Sequence, residues 1–71
     1  MSSNRIAWIN IHGQPPKPHH TVLITRETNG GRILSYGYLD ANKNWFDQRW
    51  NLIVVDVIAW AEFPEPWEGE W

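Results

Sequence analysis

The chain has 71 residues, eight Asp and Glu against six Lys and Arg, no cysteine and six tryptophans. Its length limits it to one small domain, which would bury only about 60% of the surface that its unfolded chain exposes. The missing cysteine excludes a disulfide framework, a thiolate metal centre and a cysteine nucleophile, and the net charge of −2 excludes a strongly basic nucleic-acid binder.

The segments read as strands in chain order. Residues 5–11, Arg-Ile-Ala-Trp-Ile-Asn-Ile, are rich in β-branched and aromatic side chains. Residues 12–20 hold one Gly and three Pro and read as an extended loop. A second strand covers residues 21–26. Asn29-Gly30-Gly31 is the strongest turn signal, because tight hairpin turns demand positive φ and Gly or Asn accept it. A third strand covers 32–39. A turn cluster follows at 40–44, then a short strand at 45–47. Residues 48–52 fit a loop or a single helical turn. Residues 53–63 form the most strand-like run, and Pro64 and Pro66 should end it.

That last run is apolar at both parities: Val55, Val57 and Ala59 alternate with Val54, Ile58 and Trp60. A sheet with one wet face alternates more cleanly, so either the sheet curls or a second surface covers it. No segment shows the helical i, i+3, i+4, i+7 pattern over ten residues. The expected fold is mainly β: a small curled antiparallel sheet or SH3-like barrel of four to five short strands. It forms one domain over 1–71, with its core at about 5–63 and a Pro/Glu/Trp tail at 64–71. Without an apolar run near 18 residues or a signal-peptide core, a soluble cytosolic protein is expected.

Three stretches together resemble a short phage- and prophage-associated family of unknown function. They are Trp8-Ile9-Asn10-Ile11 followed by Pro15-Pro16 and Val22-Leu23-Ile24; Tyr36-Gly37-Tyr38-Leu39-Asp40 with Trp45-Phe46; and Val57-Ile58-Ala59-Trp60-Ala61-Glu62-Phe63-Pro64-Glu65-Pro66. The family runs Trp-Ile-x-Val, Leu-Pro, Val-Leu-Val, Gly-Tyr-Tyr-Asp, and closes on His-Trp-Met-Pro-Leu-Pro. The likeness spans about residues 7–66. It departs at Ala59, where the family has His, and at Pro15, where it has Leu. The resemblance implies a small accessory protein of a phage or mobile element acting inside a bacterial cell, and brings no activity with it.

Catalytic and metal patterns are weak. His12, His19 and His20 lie on a Pro-rich loop without Cys and read as solvated. Ser35 lacks a Gly-x-Ser-x-Gly elbow. Asp40, Asp47 and Asp56 lie at or near turns and strand ends, where Asp is ordinary. Asn29-Gly30-Gly31-Arg32 has no helix behind it to make a phosphate loop. Pro15-x-x-Pro18 reads as a rigid loop rather than a ligand for an SH3 domain. No catalytic residue, cofactor or metal is therefore expected.

Trp8 and Trp60, inside apolar strands, are expected in the core. The other indoles, and a net charge of −5 over residues 36–71, point to a binding surface. The first-choice surface combines Trp50, Glu62, Glu65, Trp67, Glu68 and Glu70, facing a host protein or complex with a basic patch. The second choice is Tyr36, Tyr38 and Trp45. The expected function is a non-enzymatic protein-binding module of a phage or mobile element, in its sharpest form an inhibitor of a host defence or nucleic-acid-processing complex of the anti-CRISPR kind. The alternative is an aromatic platform for carbohydrate or nucleic acid. Neither membrane insertion nor direct nucleic-acid binding is expected, and a homodimer stays open.

Overall fold

A computed structural model describes residues 6–64. These residues form one antiparallel sheet of six strands: β1 (Ile9–Asn10), β2 (Val22–Thr28), β3 (Gly31–Leu39), β4 (Trp45–Asp47), β5 (Leu52–Val54) and β6 (Val57–Ala61). The spatial order is β1-β6-β2-β3-β4-β5. The mainly β, curled antiparallel class read from the sequence is the observed one, with six strands in place of four or five. None of the described residues forms a helix long and apolar enough to cross a membrane.

Connectivity forces the curl. Residues 55–56 alone join β5 to β6, yet four strand spacings separate these strands in the sheet. Laid flat, that is about 19 Å, while three Cα steps reach only about 10 Å. The sheet therefore bends back on itself, without closing, around an inner face of Val22, Ile24, Leu39, Val54, Val57 and Trp60. Ile9, Ile11 and Trp45 pack against this core.

The double-sided apolar run at 53–63 has two causes. Residues 55–56 interrupt it, so it is two strands, and Val55 is left 97% exposed. A register shift then intervenes within β6: Thr25 faces Ala59, but Arg26 faces Val57. Ile58 is the extra residue, and its carbonyl accepts the Ile11 N–H at 3.2 Å. The shift reverses the parity, so Val57 and Trp60, three residues apart, both turn inward.

Trp8 is not core. Ile9 pairs with Trp60, which sets Ile9 and Ile11 on the inner side. Alternation leaves Trp8 on the other side, before the strand and 40% exposed. Trp60 is buried as expected. Its indole N–H donates to the Gln14 carbonyl at 2.9 Å, tying the Pro-rich loop to β6.

The β2–β3 hairpin turns at Asn29 and Gly30, and the positive φ of 111° falls on Gly31, the first residue of β3. Gly37 is needed for a different reason. It faces Asp47 across the β3–β4 pair, and a Cβ there would overlap the Phe46 carbonyl. Both are backbone groups, so the neighbour cannot swing aside. Gly37→Ala should forfeit much of the stability of a small domain, typically about 5–15 kcal/mol in total. Gly30→Ala, whose Cβ would meet only Thr28 Oγ1 at 3.9 Å, should melt close to the parent. Thermal denaturation of the two variants checks the contrast; equal melting temperatures would refute it.

Candidate functional site

An ionic cluster lies under the sheet. Val22 and Ile24 put the inward parity of β2 on a path that reaches Arg26 two residues later. Arg26 Nη1 donates to Asp47 Oδ2 at 2.8 Å, and its Nε and Nη2 grip Asp56 at 2.7 and 3.2 Å. Ser35 donates to Asp47 Oδ1 at 2.7 Å. The same oxygen accepts the backbone N–H of Arg49 at 2.9 Å and of Trp50 at 3.1 Å, which caps the β4–β5 turn. Asp47 is wholly buried, and no buried side-chain polar atom among the described residues lacks a partner.

Asp47 and Asp56, which read as ordinary turn and strand-end carboxylates, meet on one guanidinium, and Ser35 joins them through Asp47. The available signal was Arg26 itself, a cation at the core parity of an apolar strand, which requires a buried anion. As a site it is saturated. The Asp47 oxygens are committed to Arg26, Ser35 and two amides, so the Ser35 hydroxyl has a carboxylate but no imidazole among its partners.

The three histidines disperse. The His12 backbone bonds the Asn10 side chain, His19 packs on Tyr38 with ring centroids 5.4 Å apart, and His20 meets Glu62 at 3.0 Å. Among the described residues no three His, Asp or Glu side chains form a metal-binding group.

Of the first-choice surface, Glu65, Trp67, Glu68 and Glu70 lie outside the described residues. Trp50 is exposed on the β4–β5 turn, with the Arg49 guanidinium 5.2 Å from its ring centre. Glu62 follows β6, so β2 and β3 stand between them in the sheet. Of the second-choice surface, Tyr36 and Tyr38 share the outer face, where Tyr38 stacks on Phe46 at 5.4 Å. Trp45 does not join them. It pairs with Leu39, one residue beyond Tyr38, and the pleat sends it to the inner side against the core.

Two open features remain. The first is the β5 edge. Trp50, Leu52, Ile53 and Val55 are exposed within six residues that carry no charge and no proline; Ile53 is 64% exposed. β5 ends the sheet, with β4 as its strand partner. The second is a pocket of about 310 Å³ between the Pro-rich loop and the ends of β3 and β4. Trp45, Trp60, Leu39, Ile11, Pro15 and Pro16 form its apolar walls. Among the described residues, Lys43 is its one charged lining residue, and no Asp, Glu, Asn or Gln side chain lines it.

Comparison with known proteins adds no relative: no family model, curated protein or solved structure matches the chain.

The ionic cluster makes the fold acid-sensitive in a defined sense. The hydrogen bonds from Arg26 hold the Asp56 carboxyl below the ordinary carboxylate range, against the opposing effect of burial. A lowered native pKa stabilises the fold above the unfolded value, near pH 4, and that contribution is lost as pH falls through the native value. The stability gap between the parent and Asp56→Asn should therefore be widest at neutral pH and narrow below about pH 4. Arg26→Met strands the buried Asp47 charge and should cost about 3–5 kcal/mol. Urea midpoints across pH measure both effects; a gap independent of pH would contradict the first.

Proposed function

We propose that this chain is a non-enzymatic protein-binding module that takes an extended segment of a partner protein alongside β5. One observation carries the reading: the uncharged, proline-free edge with Leu52, Ile53 and Val55 exposed. Edge strands are ordinarily very short or carry Lys, Pro or a covering loop, because their free N–H and C=O groups recruit other strands; β5 is short, but its apolar side chains continue to Val55 with no charge or proline. A strand added there would gain ladder hydrogen bonds for affinity and alternate apolar contacts for specificity. The commitment of Ser35, Asp47 and Asp56 to structural bonds supports a binding role over a catalytic one.

The narrower reading, a phage or mobile-element inhibitor of a host defence or nucleic-acid-processing complex of the anti-CRISPR kind, rests on the sequence resemblance. In it, Glu62, Glu65, Glu68 and Glu70 steer the chain toward a basic partner. Trp50 adds an apolar anchor beside the edge, and Trp67 is the second indole this reading enlists.

A photo-crosslinking residue at Val55, with a control at Lys17 on the Pro-rich loop, tests the docking edge in a bacterial host. One partner protein should crosslink at position 55 and not at 17, and the product should vanish with Ile53→Lys, which sets a charge on the edge. Equal capture at both positions, capture of a second copy of this chain, or indifference to Ile53→Lys would each overturn the assignment. Charge reversal by Glu65→Lys with Glu68→Lys should slow association without changing the melting temperature.

A further inference from the structure

We infer that the pocket between the Pro-rich loop and the β3–β4 end is a binding site for a small planar aromatic carboxylate, separate from the docking edge. The walls decide the body of the ligand. Two indoles and two proline rings, closed by Ile11 and Leu39, offer flat apolar surface, and Gly13 and Lys43 complete the lining. A sugar would bring several hydroxyls and find, among the described residues, no carboxylate or amide side chain in the lining to receive them. The volume of about 310 Å³ lies at the small end of ligand pockets and suits one fused ring with a short acidic arm.

Lys43 decides the charge. Among the described residues it is the one ionised side chain of the lining, and it makes no ion pair with them. Its backbone is unusual as well. Lys43 sits at φ 70°, a left-handed conformation that penalises an ordinary L residue and that Gly or Asn adopts more readily. The turn is closed around it. Its N–H donates to the Asp40 carbonyl at 3.0 Å, the Asp40 N–H donates to the Asn44 carbonyl at 2.9 Å, and Asp40 Oδ1 accepts the amides of Asn42 and Asn44. A rigid turn therefore holds a cation at the pocket in a position where a neutral residue would be less strained.

The walls are pre-organised too. The bond from the Trp60 indole to the Gln14 carbonyl fixes the loop that carries Pro15 and Pro16, and the His19 N–H anchors its far end to the Leu39 carbonyl at 2.8 Å. A ligand entering the site would have little protein ordering to impose.

Nuclear magnetic resonance titration of the full chain, read at the Trp45 and Trp60 indole N–H signals, tests the inference with indole-3-acetate as the probe. Indole-3-acetate should give saturable shifts at both signals in the millimolar range. Tryptamine, of the same ring and opposite charge, should bind at least about fivefold more weakly, the scale of one exposed ion pair, and glucose should give no saturation. Lys43→Asn should melt above the parent and bring indole-3-acetate down to the affinity of neutral indole. Absence of saturable shifts, equal affinity for tryptamine, saturation by glucose, or undiminished preference for the acid in Lys43→Asn would each overturn the proposal.

Discussion

The grip of Arg26 on two carboxylates is the constraint around which the curled sheet is organised. Its three donors reach Asp47 on β4 and Asp56 in the link before β6, so one side chain joins three parts of the sheet that a flat layout would hold apart. The Glu27 amide, next along β2, donates to the Asp56 carbonyl at 2.9 Å and fixes the same link through the backbone. A chain without disulfides, with only a few fully buried hydrophobic side chains among its described residues, has limited apolar area with which to set this curvature. A buried ion pair adds little net stability over an apolar replacement, but an incomplete one is severely penalised. The cluster therefore disfavours every register in which its members miss one another, and specifies the curl more than it strengthens it.

What the sequence disclosed follows from the range of the interactions involved. Strand-forming stretches and turns are local, and residues 22–28, 31–39 and 45–47 fall close to where β-branched runs and Asn-Gly signals put them. Trp60 was legible because its neighbours on both sides are apolar. Trp8 shares that local pattern and lies outside the core, because a two-residue strand paired with β6 decides which side faces in, and that pairing is made 51 positions away. Trp45 was grouped with Tyr36 and Tyr38 on composition, whereas the register of β3 against β4 puts it one residue out of phase with them. The break at residues 55–56 and the bulge at Ile58 are visible only as an excess of apolar residues in a run too long for one half-buried strand.

The candidate sites were less legible still. The β5 edge depends on strand order, which no short stretch encodes. The pocket draws single residues from three stretches, between 11 and 16, between 39 and 45, and at 60, and its lysine is ordinary in sequence; only its backbone conformation and its neighbours distinguish it. Ile53 shares the outer face with Phe46 and Tyr38, while Leu52, paired with Asp47, shares the inner face with Trp45 and Trp60.

The position of β6 bears on how the chain is made. β6 lies between β1 and β2 and is the pairing partner of both. During synthesis β2, β3, β4 and β5 emerge first and can pair in order as successive hairpins. Until β6 emerges, the inner edge of β2 is bare and Val22 and Ile24 lack the cover of Trp60. The nascent chain is thus a meander with two open edges, and its central seam closes last, through contacts remote in sequence of the kind that slow the folding of β domains. Pairing of β6, rather than closure of the first hairpin, is the step that joins β1 and β2 into one sheet.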